Sequence, residues 1–101
     1  MDVAACTAGT AQAIVADGTL SFAAGLTAEL TNVPQTAEEL EKVSCVIATA
    51  EGFEDVRRLN AALRKVKLPV DGWKAVATVA ENGTDLVLSF QRRPSITLII
   101  R

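Results

Sequence analysis

Glu51, Glu54 and Asp55 are the carboxylates whose spacing could support general acid–base work, grouped around Gly52 at a joint between two periodic stretches. The same three side chains also suit the solvated first turn of a helix. The chain contains no histidine to partner them. That absence removes His-based triads, His metal sites and an imidazole pH switch. A Ser or Thr nucleophile would then need a lysine as base. The lysines are Lys42, Lys65, Lys67 and Lys74, and Lys65 and Lys67 lie where a helix C-terminus attracts cations. Glu38, Glu39 and Glu41 lack the alternating oxygen-ligand spacing of a calcium loop. The glycines at 9, 18, 25, 52, 72 and 83 form neither a dinucleotide fingerprint nor a phosphate loop. The inventory points away from an enzyme, and it implies no cofactor and no metal.

Cys6 and Cys45 fit no metal-ligand spacing. Bonded to each other they would close a loop of about 40 residues, worth about 4 kcal/mol in the chain-entropy picture. Unbonded, they are two small apolar residues of a reduced protein, and this simpler reading goes with a cytoplasmic location. A secreted or lipoprotein origin follows if they are bonded or if the N-terminus was trimmed. Val3-Ala4-Ala5-Cys6 has the letters of a lipoprotein cleavage box, yet only Met1 and Asp2 precede it. Asn82-Gly83-Thr84 is a glycosylation sequon that a turn explains without any secretory context.

Length and composition bound the rest. The chain has 101 residues, 50% of them apolar, with a formal net charge of −2. This fits one domain over residues 1–101, with 1–10 as a flexible lead-in, and disfavours disorder. The longest uncharged run, Val3 to Ala16, is 14 residues and too short to span a membrane.

Asn82-Gly83 is the strongest short hairpin signal in the chain, because a type I′ turn needs two residues that tolerate positive φ. It sets a register pairing Glu81 with Thr84, Val79 with Leu86, Ala77 with Leu88, Ala75 with Phe90 and Trp73 with Arg92. One face then carries Trp73, Ala75, Ala77, Val79, Leu86, Leu88 and Phe90, small residues opposite large ones. Asp17-Gly18 predicts a second hairpin in the same way, with Val15 opposite Leu20 and Ala13 opposite Phe22. Between the two, Thr36 and Glu39 form a capping box ahead of Leu40, Val43, Ile47 and Ala50, a helical stripe. A strand over 43–50 competes with it, since Val43, Val46, Ile47 and Thr49 are β-branched. Phe53, Val56, Leu59, Leu63 and Val66 define a second helix, ended by Pro69. At the C-terminus Ile96, Leu98 and Ile100 alternate with Thr97 and Ile99, a strand apolar on both faces that needs cover. The expected fold is α+β, in the order ββααβββ, with an antiparallel five-stranded sheet and two helices packed on one face.

Charge is divided along the chain. Residues 1–55 hold nine acids and one base, whereas 56–101 hold three acids and nine bases. The bases gather on the 53–67 helix (Arg57, Arg58, Arg64, Lys65, Lys67) and at Arg92 and Arg93. Three functions compete. The first is a non-enzymatic assembly or interaction module, bound to itself or to another protein chain. It would use Ile96, Leu98, Ile99 and Ile100 for affinity and Arg57, Arg58, Arg64, Lys65, Arg92 and Arg93 for orientation. The second is polyanion or nucleic-acid binding through the basic face of helix 53–67, weakened by the acidic pI of about 5.0 and the few aromatics. The third is a small-ligand or catalytic domain with a helix–sheet pocket near Glu51, Glu54 and Trp73.

Overall fold

The computed structural model describes residues 1–9 and 13–93. Its elements are helix α1 (Val3–Thr7), strands β1 (Ile14–Val15) and β2 (Thr19–Ser21), helix α2 (Ala37–Glu41), strands β3 (Ser44–Thr49) and β4 (Gly52–Glu54), helix α3 (Val56–Arg64) and strands β5 (Trp73–Val79) and β6 (Asp85–Arg92). The class is α+β as expected. The sheet is not: it has four strands in the order β1-β3-β6-β5, and β2 and β4 form a separate two-stranded ribbon. The expected C-terminal strand, Ile96 to Ile100, lies outside the described residues.

The β5–β6 hairpin carries the expected register from Trp73 opposite Arg92 to Val79 opposite Leu86, while the expected Glu81–Thr84 pair falls in the loop. Its inner face is buried almost throughout, with Leu86 and Leu88 fully enclosed and only the last residue, Val79, open at the end. The turn differs. Gly83 alone has positive φ, so Asn82 is not the left-handed residue a type I′ turn requires. Instead Gly83 N–H donates to Ala80 O (2.9 Å), and the Asn82 side-chain oxygen accepts from the N–H groups of Thr84 and Asp85. A longer loop with the same parity preserves the register.

The 43–50 stretch is strand β3, not the helix its capping box favoured. Thr36 does cap α2, its hydroxyl accepting from Glu39 N–H at 3.3 Å, but the helix ends at Glu41, one residue past buried Leu40. Beyond it the β-branched run finds a free edge of β6 and pairs there antiparallel. A bulge between Val46 and Ala48 shifts the alternation, so Ile47, Ala48 and Ala50 all reach the core.

The expected Asp17-Gly18 hairpin is absent. Gly18 has positive φ but Asp17 does not, so the pair bends the chain without reversing it. Segment 14–21 runs parallel to segment 48–54 instead. Ile14 lies opposite Ala48 and Val15 opposite Thr49, and past the bend Thr19, Leu20 and Ser21 face Gly52, Phe53 and Glu54. Ala16 N–H to Thr49 O and Glu51 N–H to Gly18 O, both 2.9 Å, stitch the corner. Ile14 and Val15 remain 59% and 78% exposed, so β1 is a thin edge and not a core strand.

The first residues are not a loose lead-in. Val3 is fully buried, Asp2 caps α1 by accepting from Ala5 N–H at 3.0 Å, and Val3 N–H bonds Thr31 O at 2.8 Å. The Ala5 N–H, and after it the Asn32 side chain, hold the Asp2 carboxyl below the ordinary aspartate range. A lowered folded-state pKa means that this contribution is complete at neutral pH and is lost as pH falls below about 4. Cys6 and Cys45 are bonded, Cα to Cα 5.9 Å, tying α1 to β3. This overturns the reduced reading, and burial explains why the thiols read as core residues: they are only 7% and 8% exposed.

One core results. Val3 and Cys6 of α1, Leu40 of α2 and Leu63 of α3 meet Cys45, Ala48, Trp73, Ala75, Ala77, Leu86, Leu88 and Phe90. All three helices therefore lie on one face of the sheet. The other face presents Val46, Val76 and Val87 among serines and threonines, with Val46 41% exposed.

Candidate interaction surface

Helix α3 starts at the bend after β4 and runs back along β5, so its first turn and its last sit at opposite ends of the sheet. Asp55 occupies the N-cap position with a left-handed backbone (φ 59°), a conformation that Asp tolerates better than most residues. Its carboxylate lies 3.7 Å from Arg57 and 3.8 Å from Arg58. Arg58 also donates to Phe22 O at 3.1 Å. These two arginines, expected at a partner surface, are engaged within the molecule at the first turn of α3.

The last turn is different. Arg64 and Lys65 are exposed there, with exposed Lys67 just past it. Arg93 folds back onto this end: its Nε donates to Trp73 O (3.3 Å) and its terminal nitrogen to Arg64 O (3.0 Å). A cation on the final carbonyls of a helix is favourably placed, so Arg93 is a clamp between α3 and β5. Arg92 lies over the Trp73 ring, 5.6 Å from its centroid. Of the expected interaction residues, the structure thus gathers Arg64, Lys65, Arg92 and Arg93 at one end and leaves Arg57 and Arg58 at the other. Ile96, Leu98, Ile99 and Ile100 lie outside the described residues.

Two residues matter here that the sequence did not assign to this surface. Asn60 sits between Val56 and Leu63 on the apolar side of α3, and its carboxamide grips the edge of β5 that no described strand pairs. It accepts from Ala77 N–H at 2.8 Å and donates to Ala77 O at 2.9 Å, as a neighbouring strand would. A lone carboxamide inside an apolar stripe was the available signal. Replacing Asn60 by Ala orphans both groups and should cost about 2 kcal/mol in a urea unfolding experiment. Asn60→Asp should lose nearly as much, because a carboxylate cannot donate to the Ala77 carbonyl.

The second is Lys74, one residue from that grip. Between α3 and β5 a crevice of about 200 Å³ is lined by Asn60, Arg64, Lys74, Ala75 and Val76. The alternation that points Ala77's peptide groups outward does the same for Ala75. Ala75 is only 1% exposed, and among the described residues nothing bonds its outward N–H and C=O. Arg64 and Lys74 both line the crevice, beside a peptide group that is closed to solvent.

The expected pocket of Glu51, Glu54 and Trp73 is not assembled. Glu51 lies at the far end of β3, beside Gly18, while Trp73 begins β5 at the other end of the sheet. Leu63 and Phe90 fill the helix–sheet interior between them. A wider cleft of about 410 Å³ separates α1 from α2, lined mainly by Ala4, Thr7, Ala8, Pro34 and Val43 with Glu39 and Lys42 at its rim. Among the described residues there is no cluster of three metal-ligating side chains, and no helix is long and apolar enough to cross a membrane. No protein-family model, no curated protein and no solved structure matches this chain.

Proposed function

We propose that this chain is a non-enzymatic assembly module, self-associating or serving as a subunit of a larger structure through its charged helix and its C-terminal segment. The observation that carries this reading is the end of α3 and β5, where Arg64, Lys65, Lys67 and Lys74 gather beside the edge strand with no ion pair among the described residues. An edge strand can take up another chain, and cations beside it turn away like charge and select an acidic partner. The sequence of the C-terminal segment, apolar at Ile96, Leu98, Ile99 and Ile100, adds area for burial against another chain. Light scattering tests the reading. Self-association at tens of micromolar that Ile99→Lys weakens supports it, and a strict monomer whose solubility Ile99→Lys leaves unchanged contradicts it.

A second reading, polyanion binding, is favoured by the same cations. Arg64, Lys65, Lys67 and Lys74 carry it, since Arg57 and Arg58 are engaged with Asp55. It requires heparin retention that falls with added salt and disappears in Arg64→Glu/Lys67→Glu. No retention at low salt dismisses it.

A further inference from the structure

The charge that the sequence divides between its halves is divided in space between the two ends of the sheet. At one end, Glu51 N–H bonds Gly18 O and Ala50 N–H bonds Thr84 O, both at 2.9 Å. These bonds bring the Asp17 bend, Glu51 and the Glu81 tip of the hairpin to the same rim, all three exposed. Asp85 at this rim is occupied, receiving Thr49 and Asn82. At the other end stand Arg64, Lys65, Lys67 and Lys74. Asp71 is the acid nearest them in sequence, and α2 reaches that end over β6 with Glu38 held by Lys42 at 3.8 Å. The seven residues of β5 separate the two rims by about 23 Å, more than two Debye lengths at physiological ionic strength. The ends therefore do not neutralise each other within one molecule. Arg57 and Arg58 pair with Asp55 at the acidic end, and α2 brings Glu39 and Glu41 toward the basic end, so each end presents an excess of its own sign and not a single sign.

We propose that the partner is a second copy of this chain, docked head to tail, with carboxylates of the Asp17, Glu51 and Glu81 rim entering the crevice of Arg64, Lys74 and Ala75. This rests on the self-association reading above and names its partner and polarity. The crevice suits a carboxylate: Arg64 and Lys74 both line it and supply charge. Docked end to end, an acidic rim on a basic rim is a heterologous contact, whereas end-to-end pairing of basic rim on basic rim would set like charges against each other. Each added copy carries a free rim of each sign, and the assembly grows as a chain or closes as a ring.

Complementary charge reversal tests it by sedimentation velocity at low salt. Glu51→Lys/Glu81→Lys gives a molecule with two basic ends, and Arg64→Glu/Lys74→Glu one with two acidic ends. All four positions lie at the surface or in the open crevice, and a thermal scan of each variant confirms folding. Each variant alone is expected to lose association at least tenfold, and an equimolar mixture to regain it. Variants that still associate alone, as wild type does, overturn the head-to-tail contact while self-association stands. Loss in both that mixing does not repair also overturns it. A wild-type monomer at low salt overturns the contact and the self-association reading together.

Discussion

Replacing Cys6 and Cys45 together by alanine is expected to lower the free energy of unfolding by about 4 kcal/mol, measured by urea denaturation. The bond closes a loop spanning a sequence separation of 39 that holds β1, β2, α2 and the long irregular stretch 22–36. Without the bond, the unfolded chain regains the freedom that the loop removes. The folded side loses as well. Helix α1 has five residues, far below the length at which a helix stands alone in water. Its remaining hold is buried Val3, the Asp2 cap and the pairing with Thr31. Domains of this size are stable by about 5–15 kcal/mol, so the variant should sit close to its unfolding threshold. A loss below about 1 kcal/mol would show that the loop is ordered by other contacts. Because both sulfurs are buried, thiol reductants should act slowly on the native protein and quickly once urea is added.

The second large effect is expected at Leu88. It is fully buried in the centre of β6, opposite Cys45 on one side and Ala77 on the other. Its neighbours across the ladder are small, so little side-chain volume is at hand to fill the space. Leu88→Ala should therefore cost about 3–5 kcal/mol, the upper part of the range for buried leucines. The adjacent Val87 points to the other face, opposite Val46 and Thr78. Val87→Ala should cost about 1 kcal/mol or less, because that face is only partly covered. Equal losses at the two positions would mean that the sheet is buried on both sides.

The β5–β6 hairpin was legible because its information is local. Period-two alternation and a turn signal fix register whatever the rest of the chain does, and the register survived even though the turn type differed. The fate of residues 14–21 was not legible, because a single glycine decides between bend and reversal, and the partner strand lies more than 30 residues away. Strand β3 shows the same limit. Its capping box is genuine but specifies only how a helix starts, and the β-branched run after it is claimed by an edge of β6 that no local window contains. The site divides likewise. The basic residues were visible as letters, but their sorting into engaged Arg58 and Arg93 and outward Arg64 and Lys74 depends on carbonyls distant in sequence. Asn60 was visible only as a polar intruder in an apolar stripe; its target, Ala77, is seventeen residues on.

A second copy docked at the edge of β5 should be visible in amide spectra of the isotopically labelled wild-type protein at low salt, from low to high micromolar concentration. Docking shifts or broadens the Ala75 amide and the Asn60 side-chain amide as concentration rises, accompanied by changes at Glu51 and Glu81. Spectra in which those four signals stay fixed across the range, whether or not others move, would contradict it.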